Sequence, residues 1–538
     1  MPSRHRSARR LTAAALAAVA LAGPGVAAPT ATASPLADVA AAAPTLRFVD
    51  IPGAGGVRLE ANVIAPSDGA VRHPLVVMPA SWALDDLEYL VPAEQLAASG
   101  YVVVSYTPRG FWGSGGTIDV AGPQSRADLS KVIDWSLVHT DADPEHIGTA
   151  GISYGAGIGL LGSAFDPRIK AVVAMSGWAD LVGSLYGDET QHLQSTAVLA
   201  LLGGLTGRPS SGFRQVLSEF FGSDRPAEQA VKAWARERSP QTYLDRINAN
   251  HPAVMLANAW GDSIFPPNQL IPFFQRLQGP KRLELRPGDH ATAELTGLLG
   301  LPNTTWSSAR AWLDHYLKGA DNGVTGEPQV RLQPQLQDYT ESFPSWSAVG
   351  SHPTTLHPGP ADRWGTGSLG PAPAAGWSRT FGTWADSGAD GGMVVVSGLS
   401  EQVLKLPPLV SVPLLPRALC DVWQTGPEPV GQRIRGEVRL SLRLRSNRGT
   451  GSFVAYLYDV DPLGVGRLVT QAPYTFLDRT PGQVFDADLA LQATAYDVPA
   501  GHRLALVVDG VDPLYLTHDS AGEQLTFEGP SAVTVPLE

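Results

Sequence analysis

A serine stands at the centre of the pentapeptide Gly151-Ile152-Ser153-Tyr154-Gly155. Small residues two positions before and two positions after a serine permit the sharp strand-to-helix turn that lifts its hydroxyl above a sheet. Residues 147–151 have the character of a buried strand, and the glycine- and alanine-rich stretch that follows is typical of a helix start. The pattern therefore predicts a nucleophile at Ser153, at a helix N-terminus whose dipole favours negative charge.

A serine hydroxyl needs a general base, and the base needs an acid that orients it. Enzymes with such a turn carry these groups in the chain order serine, acid, histidine. Asp262 and His290 each follow a predicted strand, at the end where open α/β sheets place their sites. We therefore expect Asp262 to be the acid and His290 the base. Asp289 is a rival acid, but as the chain neighbour of His290 it would need an unusual backbone bend to reach the ring.

A parallel sheet is needed to position these residues. From residue 45 onward, short apolar runs alternate with amphipathic stretches, which predicts an α/β fold with a doubly wound, mostly parallel sheet. The predicted strands are residues 75–78, 101–106, 147–151, 169–175, 253–258 and 282–285, and the predicted helices are residues 92–99, 128–139 and 310–318. The stretch from about 178 to 250 breaks this alternation and predicts an inserted helical cap; surface helices without a role in substrate binding are the alternative.

The composition changes after residue 335. Residues 351–376 are crowded with Pro, Gly, Ser and Thr, and we expect a linker at residues 336–375. Residues 376–538 contain short alternating runs, such as 438–445 and 452–458, which predict an all-β jelly-roll sandwich. The α/β domain is accordingly expected to span residues 45–335.

The first 33 residues are typical of a secretory signal peptide. Arginines at positions 4, 6, 9 and 10 precede a short apolar run at residues 11–22, and Ala31-Thr32-Ala33 offers a cleavage site. The run is shorter than the ~20 apolar residues that cross a bilayer. We expect cleavage after Ala33, a disordered leader at residues 34–44, and a secreted, extracellular protein with no membrane partner.

Composition excludes several other functions. The net charge of −12 argues against a nucleic-acid partner, because phosphate binding needs an excess of Lys and Arg. The histidines are scattered and Cys420 is the single cysteine, so no metal site and no intrachain disulfide are expected. No nucleotide-binding glycine pattern occurs in a suitable context, and we expect no cofactor.

The chain resembles the secreted serine hydrolases that comprise the X-Pro dipeptidyl-peptidases and the cocaine-esterase-like acyl esterases. The matching motifs are the serine pentapeptide, the Arg109-Gly-Phe-Trp-Gly-Ser-Gly-Gly116 loop, Trp260-Gly261-Asp262, Gly288-Asp289-His290, and the C-terminal segments 457–462 and 496–504. The resemblance implies an α/β-hydrolase domain followed by a jelly-roll domain, and an acyl-enzyme mechanism that uses no cofactor.

The resemblance also bears on the oxyanion hole. The backbone N–H of Tyr154, the residue after the nucleophile, is the expected first donor. In the family a tyrosine hydroxyl that follows the first long strand supplies the second, but this chain has Trp82 at that position. An indole N–H donates a hydrogen bond but cannot accept one. The second donor is therefore Trp82, Ser81 or a backbone amide.

The substrate is a small molecule or a peptide, and the resemblance favours X-Pro dipeptidyl-peptidase activity. Such an enzyme binds a free ammonium group, for which Asp180, Asp188 and Glu189 are candidates; a solvated acidic turn is their alternative. An acyl esterase or acylase of the cocaine-esterase type is the alternative activity. It needs an apolar pocket, which Trp178, Leu181, Leu185 and Tyr186 could line if they are not ordinary cap packing.

A different class of function would lie in the jelly roll, as a surface- or carbohydrate-binding protein. Trp423 and Tyr515 are aromatic residues suited to stacking on sugars. A domain that packs against the catalytic unit and helps to wall its pocket is the interpretation we favour. The oligomeric state is left open.

Overall fold

A ten-stranded sheet occupies the N-terminal half of the computed structural model, which describes residues 43–69, 71–222 and 225–538. The strands in this half are β1 (Thr45–Pro52), β2 (Arg58–Ala65), β3 (His73–Pro79), β4 (Val102–Tyr106), β5 (Ala142–Ile152), β6 (Ile169–Met175), β7 (Gln191–His192), β8 (Ala253–Ala259), β9 (Lys281–Arg286), β10 (Val330–Leu332) and β11 (Glu341–Phe343). The predicted signal peptide lies outside the described residues.

The sheet has the order β1-β2-β4-β3-β5-β6-β8-β9-β10-β11, without β7. Three neighbouring pairs, β1–β2, β2–β4 and β10–β11, are antiparallel, and the others are parallel. This confirms the predicted α/β class. The C-terminal ends of β5, β8 and β9 lie at one edge of the sheet, which is where the candidate site forms.

Helices cover both faces of this sheet. They are α1 (Leu90–Ala98), α2 (Pro123–His139), α3 (Tyr154–Phe165), α4 (Leu181–Leu185), α5 (Leu193–Thr206), α6 (Ser211–Phe220), α7 (Arg225–Glu237), α8 (Leu244–Asn250), α9 (Ile271–Arg276), α10 (Leu295–Leu298) and α11 (Thr304–Lys318). Alternate residues of β3 enter opposite cores: Leu75 and Val77 pack with α2 and α3, whereas Val76 and Met78 pack with α1 and α11. The segment between β6 and β8 is helical apart from short connections and β7.

Three helices begin earlier than the sequence predicts, and α1 does so by two residues, at Leu90 rather than at residue 92. α2 begins at Pro123 rather than at residue 128, with proline in its first turn. α11 begins at Thr304 rather than at residue 310, because the Asn303 side chain caps it by accepting a hydrogen bond from the Trp306 N–H at 2.9 Å. The predictions started at apolar periodicity and overlooked these start signals.

The C-terminal half is an all-β domain, as predicted, with one helix, α12 (Val396–Leu404), among its described residues. Its strands are β12 (Thr354–Ala361), β13 (Thr366–Gly370), β14 (Ser378–Gly382), β15 (Leu409–Ser411), β16 (Cys420–Gln424), β17 (Gln432–Gly436), β18 (Arg439–Ser446), β19 (Gly451–Val460), β20 (Val465–Phe476), β21 (Phe485–Ala490), β22 (Thr494–Val498), β23 (Arg503–Asp509), β24 (Tyr515–Leu516) and β25 (Gln524–Val535). β12 joins two groups of strands, one centred on β25 and β18 and the other on β23 and β19.

The expected linker at residues 336–375 is not a linker in the structure. It contains β11, β12 and β13, and β12 pairs with both β13 and β25. Two of the prolines in this stretch, Pro358 and Pro360, sit in β12, where the register with β13 shifts between Pro358 and Ala361. An irregular strand tolerates the missing backbone donor of proline.

The all-β domain packs against the α/β domain. β24 pairs with β7, and a Cβ on Gly398 of α12 would lie 2.5 Å from the Cβ of Asp289. Trp423 and Tyr515 are both buried, so neither offers the exposed stacking surface considered for a sugar. Within the part of the chain that the structure describes, no helix has the length and apolar character required to cross a membrane.

A buried ion pair ties the N-terminal hairpin to α2. The Arg109 guanidinium donates to both carboxylate oxygens of Asp128, at 2.6 and 2.7 Å, and Asp128 also accepts from the Ala54 N–H at 2.8 Å. Both side chains are almost fully buried. The Arg109 loop therefore has a structural role in addition to its resemblance to a family motif.

We expect Arg109→Leu to reduce stability by about 3–5 kcal/mol, because it leaves the Asp128 carboxylate buried without its cation. The fall in melting temperature, measured by calorimetry, checks this. The double variant Arg109→Leu/Asp128→Leu should recover most of the loss. Lys131→Ala, which breaks an exposed ion pair with Asp134, should cost less than about 1 kcal/mol. Equal effects of the two single substitutions would contradict the prediction.

Candidate active site

Ser153 occupies the turn between β5 and α3 with a strained backbone. Its φ is 54° and its ψ is −115°, a conformation that non-glycine residues rarely adopt. Its N–H donates to the Met175 carbonyl of β6 at 2.8 Å, which fixes the turn to the sheet. The predicted nucleophile elbow is therefore the geometry found at this position.

The two glycines of the pentapeptide are required by close backbone contacts. A Cβ on Gly151 would lie 2.7 Å from the Gly155 carbonyl carbon. A Cβ on Gly155 would lie 2.1 Å from the carbonyl oxygen of Pro79, at the end of β3. Neither contact can relax by moving a flexible side chain, so the turn needs glycine at both places.

Ser153, His290 and Asp262 form a hydrogen-bonded chain. His290 Nε2 lies 2.8 Å from Ser153 Oγ, and His290 Nδ1 lies 3.1 Å from each carboxylate oxygen of Asp262. Asp262 Oδ1 also accepts from the backbone N–H groups of Ile264 and Phe265, at 3.0 and 2.7 Å. The structure thus brings together the three residues singled out in the sequence, in the arrangement of a base between a nucleophile and an orienting acid.

The negative charge of Asp262 favours the protonated form of the His290 imidazole. Burial acts to lower the pKa of His290, but the charge and hydrogen bond of Asp262 outweigh it and raise the pKa above its ordinary value. An imidazole with a raised pKa is a stronger base toward the serine proton.

Asp289 is not the residue that contacts the ring. Its Oδ1 accepts from the Ser263 N–H at 2.8 Å, from the Ser263 hydroxyl at 2.7 Å and from the His290 N–H at 2.6 Å. Burial, followed by repulsion from Asp262, raises the pKa of Asp289 to about 6. Asp289 therefore joins the loops that carry the acid and the base, and it leaves the ring to Asp262.

The two side chains proposed as the second oxyanion donor point elsewhere. The Trp82 indole N–H donates to the Leu199 carbonyl of α5 at 2.9 Å, and the Ser81 hydroxyl donates to Glu88 at 2.6 Å. The Trp82 indole N–H is therefore bonded to the cap and the Ser81 hydroxyl to the Glu88 carboxylate, so neither side chain is available to an oxyanion. Among the described residues, the backbone N–H of Trp82 has no hydrogen-bond partner, and the Tyr154 N–H is the first of α3 and lacks an intrahelical acceptor.

An apolar cavity of about 90 Å³ adjoins Ser153. Its lining is largely aromatic and aliphatic, and comes from the loops around the nucleophile and from cap helices α4 to α7. The aromatic lining residues are Trp82, Tyr154, Trp178, Tyr186, Phe213, Phe220, Trp234 and Phe265. Of the predicted pocket residues, Trp178, Leu181, Leu185 and Tyr186 line the cavity and Asp180 does not.

The predicted carboxylates are used in other ways. Asp180 caps α4 by accepting from the N–H groups of Val182 and Gly183. Glu189 is ion-paired with Lys232, and Asp188 faces a separate depression beside Arg439. None of the three is among the residues that line the cavity at Ser153.

Sequence reasoning missed a buried carboxyl group near the base. Glu294 is fully buried and accepts a hydrogen bond from the Ser176 hydroxyl at 3.1 Å, and that hydroxyl accepts from the Ala291 N–H at 3.2 Å. Burial raises the pKa of Glu294 to about 7. The two residues hold the loop after His290, but nothing in the local sequence indicates that they meet.

The described residues contain no group of three or more His, Cys, Asp or Glu side chains arranged to hold a metal ion. The arrangement at Ser153 can perform acyl transfer with side chains and backbone N–H groups alone.

Two family models match this chain. The model described as X-Pro dipeptidyl-peptidase (S15 family) matches residues 55–292, and the model of the X-Pro dipeptidyl-peptidase C-terminal non-catalytic domain matches residues 322–534. The chain belongs to this family of serine hydrolases. The resemblance seen in the sequence motifs is thereby confirmed.

Curated relatives of this S15-family chain include proteins named as peptidases and proteins named as esterases. A Streptomyces avermitilis protein, provisionally named an Xaa-Pro dipeptidyl-peptidase, is 28% identical over 278 residues, which are 44% of this chain and 40% of that protein. A Mycobacterium bovis protein, provisionally named a serine esterase, is 23% identical over 51% of this chain and 47% of that protein. The matches thus span less than half the length of either relative.

The fold is shared with a solved hydrolase structure. A CocE/NonD-family hydrolase from Staphylococcus aureus superposes with a TM-score of 0.70 at 13% identity, covering 91% of this chain and 96% of that one. The similarity includes both the α/β domain and the all-β domain.

We expect Gly155→Ala to abolish reaction of the protein with a fluorophosphonate, a reagent that labels activated serines. The added methyl group meets the rigid Pro79 carbonyl and must displace either β3 or the first turn of α3. Gly212→Ala on α6 is the matched control, because a Cβ there meets no atom within 4 Å. Normal labelling of the Gly155→Ala variant would contradict this account of the turn.

We also expect kcat/KM to rise with pH through the raised pKa of His290, because the neutral imidazole is the base. Asp262→Asn should move this rise to lower pH, since it removes the charge that raises the pKa. It should also reduce kcat by about 10⁴-fold through loss of the correct tautomer. A pH–rate profile checks both, with Asp134→Asn on the exposed side of α2 as control. An unmoved profile in Asp262→Asn would overturn the assignment.

Proposed function

We propose that this protein is a secreted serine hydrolase that cleaves esters or amides of apolar carboxylic acids through an acyl-enzyme. Ser153 Oγ attacks the carbonyl carbon as His290 Nε2 takes its proton. The tetrahedral intermediate collapses when His290 returns that proton to the leaving oxygen or nitrogen. Water, deprotonated by the same imidazole, then releases the acid and restores the serine.

Asp262 has an orienting role in this mechanism. Its two hydrogen bonds from backbone N–H groups keep its carboxylate beside His290 Nδ1, so that the Nε2 lone pair faces Ser153. The Tyr154 N–H is available to the developing oxyanion, and its position at the start of α3 adds the favourable end of the helix dipole.

The observation that carries the choice of substrate is the apolar character of the cavity beside Ser153. Its described lining residues include no carboxylate, and the lining cation is Lys232. The Lys232 ammonium lies 4.3 Å from the centre of the Tyr186 ring and is paired with Glu189. A substrate ammonium group would meet apolar walls and this lysine, whereas an apolar acyl group would be desolvated favourably.

The family model favours a second candidate, an X-Pro dipeptidyl-peptidase. The same acyl-enzyme steps apply to a peptide bond. This activity requires a group that binds the free N-terminus of the substrate, and Asp180, Asp188 and Glu189 do not supply one at Ser153. We therefore place ester or amide acylase activity ahead of dipeptidyl-peptidase activity.

Secretion is part of the proposal and is supported by the sequence alone. The arginines at positions 4, 6, 9 and 10, the apolar run and the Ala31-Thr32-Ala33 site are its support. Detection of the cleaved protein in the culture medium of the producing cell is its direct test.

A substrate panel distinguishes the two activities. We expect the protein to hydrolyse p-nitrophenyl butyrate and p-nitrophenyl benzoate. Hydrolysis of Ala-Pro-p-nitroanilide should be slow, and N-acetylation of that substrate should change its rate little. Ser153→Ala should abolish all turnover and all fluorophosphonate labelling. Ser263→Ala is not a suitable control because its hydroxyl binds Asp289; Ser218→Ala, exposed on α6, is the matched one.

Three results would change the proposal. Fluorophosphonate labelling that persists in Ser153→Ala would show that Ser153 is not the nucleophile. Fast cleavage of Ala-Pro-p-nitroanilide that N-acetylation suppresses at least about tenfold would identify the dipeptidyl-peptidase instead. Lack of turnover of every substrate, together with binding to a polysaccharide, would favour the carbohydrate-binding alternative.

A further inference from the structure

The segment that follows β3 passes beside the nucleophile and is held by a carboxyl group. Both Glu88 oxygens are engaged: Oε2 accepts from the Ser81 N–H and Oε1 accepts from the Ser81 hydroxyl, each at 2.6 Å. One side chain therefore restrains both the backbone and the side chain of the residue that precedes Trp82.

The same segment is tied to the strand that ends at the nucleophile. The Ser81 oxygen lies 3.0 Å from the Ile152 carbonyl oxygen, and the Tyr89 hydroxyl accepts from the Ile152 N–H at 2.9 Å. Glu88 and Tyr89 are consecutive residues. Together they fix the segment after β3 against the residue immediately before Ser153.

Trp82 is held at the mouth of the catalytic cavity. Its indole packs edge-on against Tyr154, with ring centres 5.3 Å apart, and its N–H donates to Leu199. Trp82, Ser153 and Tyr154 line the same cavity. The side chain of Trp82 is thus anchored in the cap, and its backbone N–H, like that of Ala83, donates to no described residue.

We propose that Glu88 is a positioning residue of the oxyanion hole, which holds the Ser81–Trp82 peptide so that the Trp82 backbone N–H is the second donor to the oxyanion. This inference rests on the proposed acyl-enzyme function. It replaces the side-chain donor expected at Trp82 or Ser81 with a backbone donor whose direction is set by a carboxyl group.

The Glu88 carboxyl group suits the task of holding the Ser81–Trp82 peptide better than an amide would. Desolvation raises the pKa of Glu88 to about 7 despite the hydrogen bonds from Ser81 and Tyr89, so a charge at this partly buried position is costly. A carboxylate offers two acceptor oxygens, and both are used by Ser81. An amide offers one acceptor and would leave one Ser81 donor facing an N–H₂ group.

The test is Glu88→Gln, assayed on the full-length protein with p-nitrophenyl butyrate. A misplaced oxyanion donor acts in the transition state and not on bound substrate. We therefore expect kcat per fluorophosphonate-titrated active site to fall about 10-fold to 100-fold with KM changed less than about twofold. The affinity for an alkyl boronic acid, which forms a tetrahedral adduct with Ser153, should fall by a similar factor.

Two further variants complete the experiment. Glu94→Gln, on the exposed side of α1, should leave kcat and boronate affinity unchanged. Ser81→Ala keeps the backbone bond to Glu88 and removes the hydroxyl bond, so it should lower kcat less than Glu88→Gln does. This variant also provides the measurement if Glu88→Gln fails to fold.

The outcomes separate the inference from the proposed function. Wild-type kcat and boronate affinity in Glu88→Gln, or in a folded Ser81→Ala if Glu88→Gln does not fold, overturn the positioning role and leave the acyl-enzyme intact. A rise in KM at constant kcat also overturns it, because that is a loss of substrate binding. A wild-type protein that neither turns over esters nor reacts with the fluorophosphonate refutes the proposed function itself.

Discussion

The contact between Gly155 and the Pro79 carbonyl is the constraint on which the rest of the site depends. With no side chain at residue 155, the end of β3 can touch the first turn of α3. That contact places the segment after β3 beside Ser153 and leaves the Tyr154 N–H free. A single methyl group would separate the two, and Trp82, Ser153 and Tyr154 would no longer share one cavity wall.

Two adjacent acidic loops have separate electrostatic roles. Asp262 is held by two backbone N–H groups, and its negative charge raises the pKa of His290. Asp289 is buried, and its own pKa is raised to about 6. If both carboxylates were fully ionised beside the imidazole, each would disfavour the charge of the other. Asp289 accepts hydrogen bonds from Ser263 instead of contacting the ring, and repulsion from Asp262 still contributes to its raised pKa.

The sequence was sufficient to single out the residues whose positions depend on local chain geometry. Ser153, Asp262 and His290 each follow a strand, and the structure brings their side chains together. Residues whose roles depend on distant partners were assigned less well. Asp180 caps a helix, and Trp82 donates to a cap carbonyl 117 positions away. Proline density suggested a linker where two irregular strands pair, because pairing with β25 is set by the tertiary fold.

The two domains contribute different properties to the site. The cavity beside Ser153 is lined by residues 82–265 alone. The expectation that the all-β domain helps to wall this cavity is therefore wrong. That domain instead contacts the acid and base loops: Gly398 abuts Asp289, and the Val395 N–H donates to the Ser263 hydroxyl at 3.2 Å. In the proposed mechanism, changes in the cap alter the acyl group that fits, whereas the all-β domain supports the loops that carry Asp262 and His290.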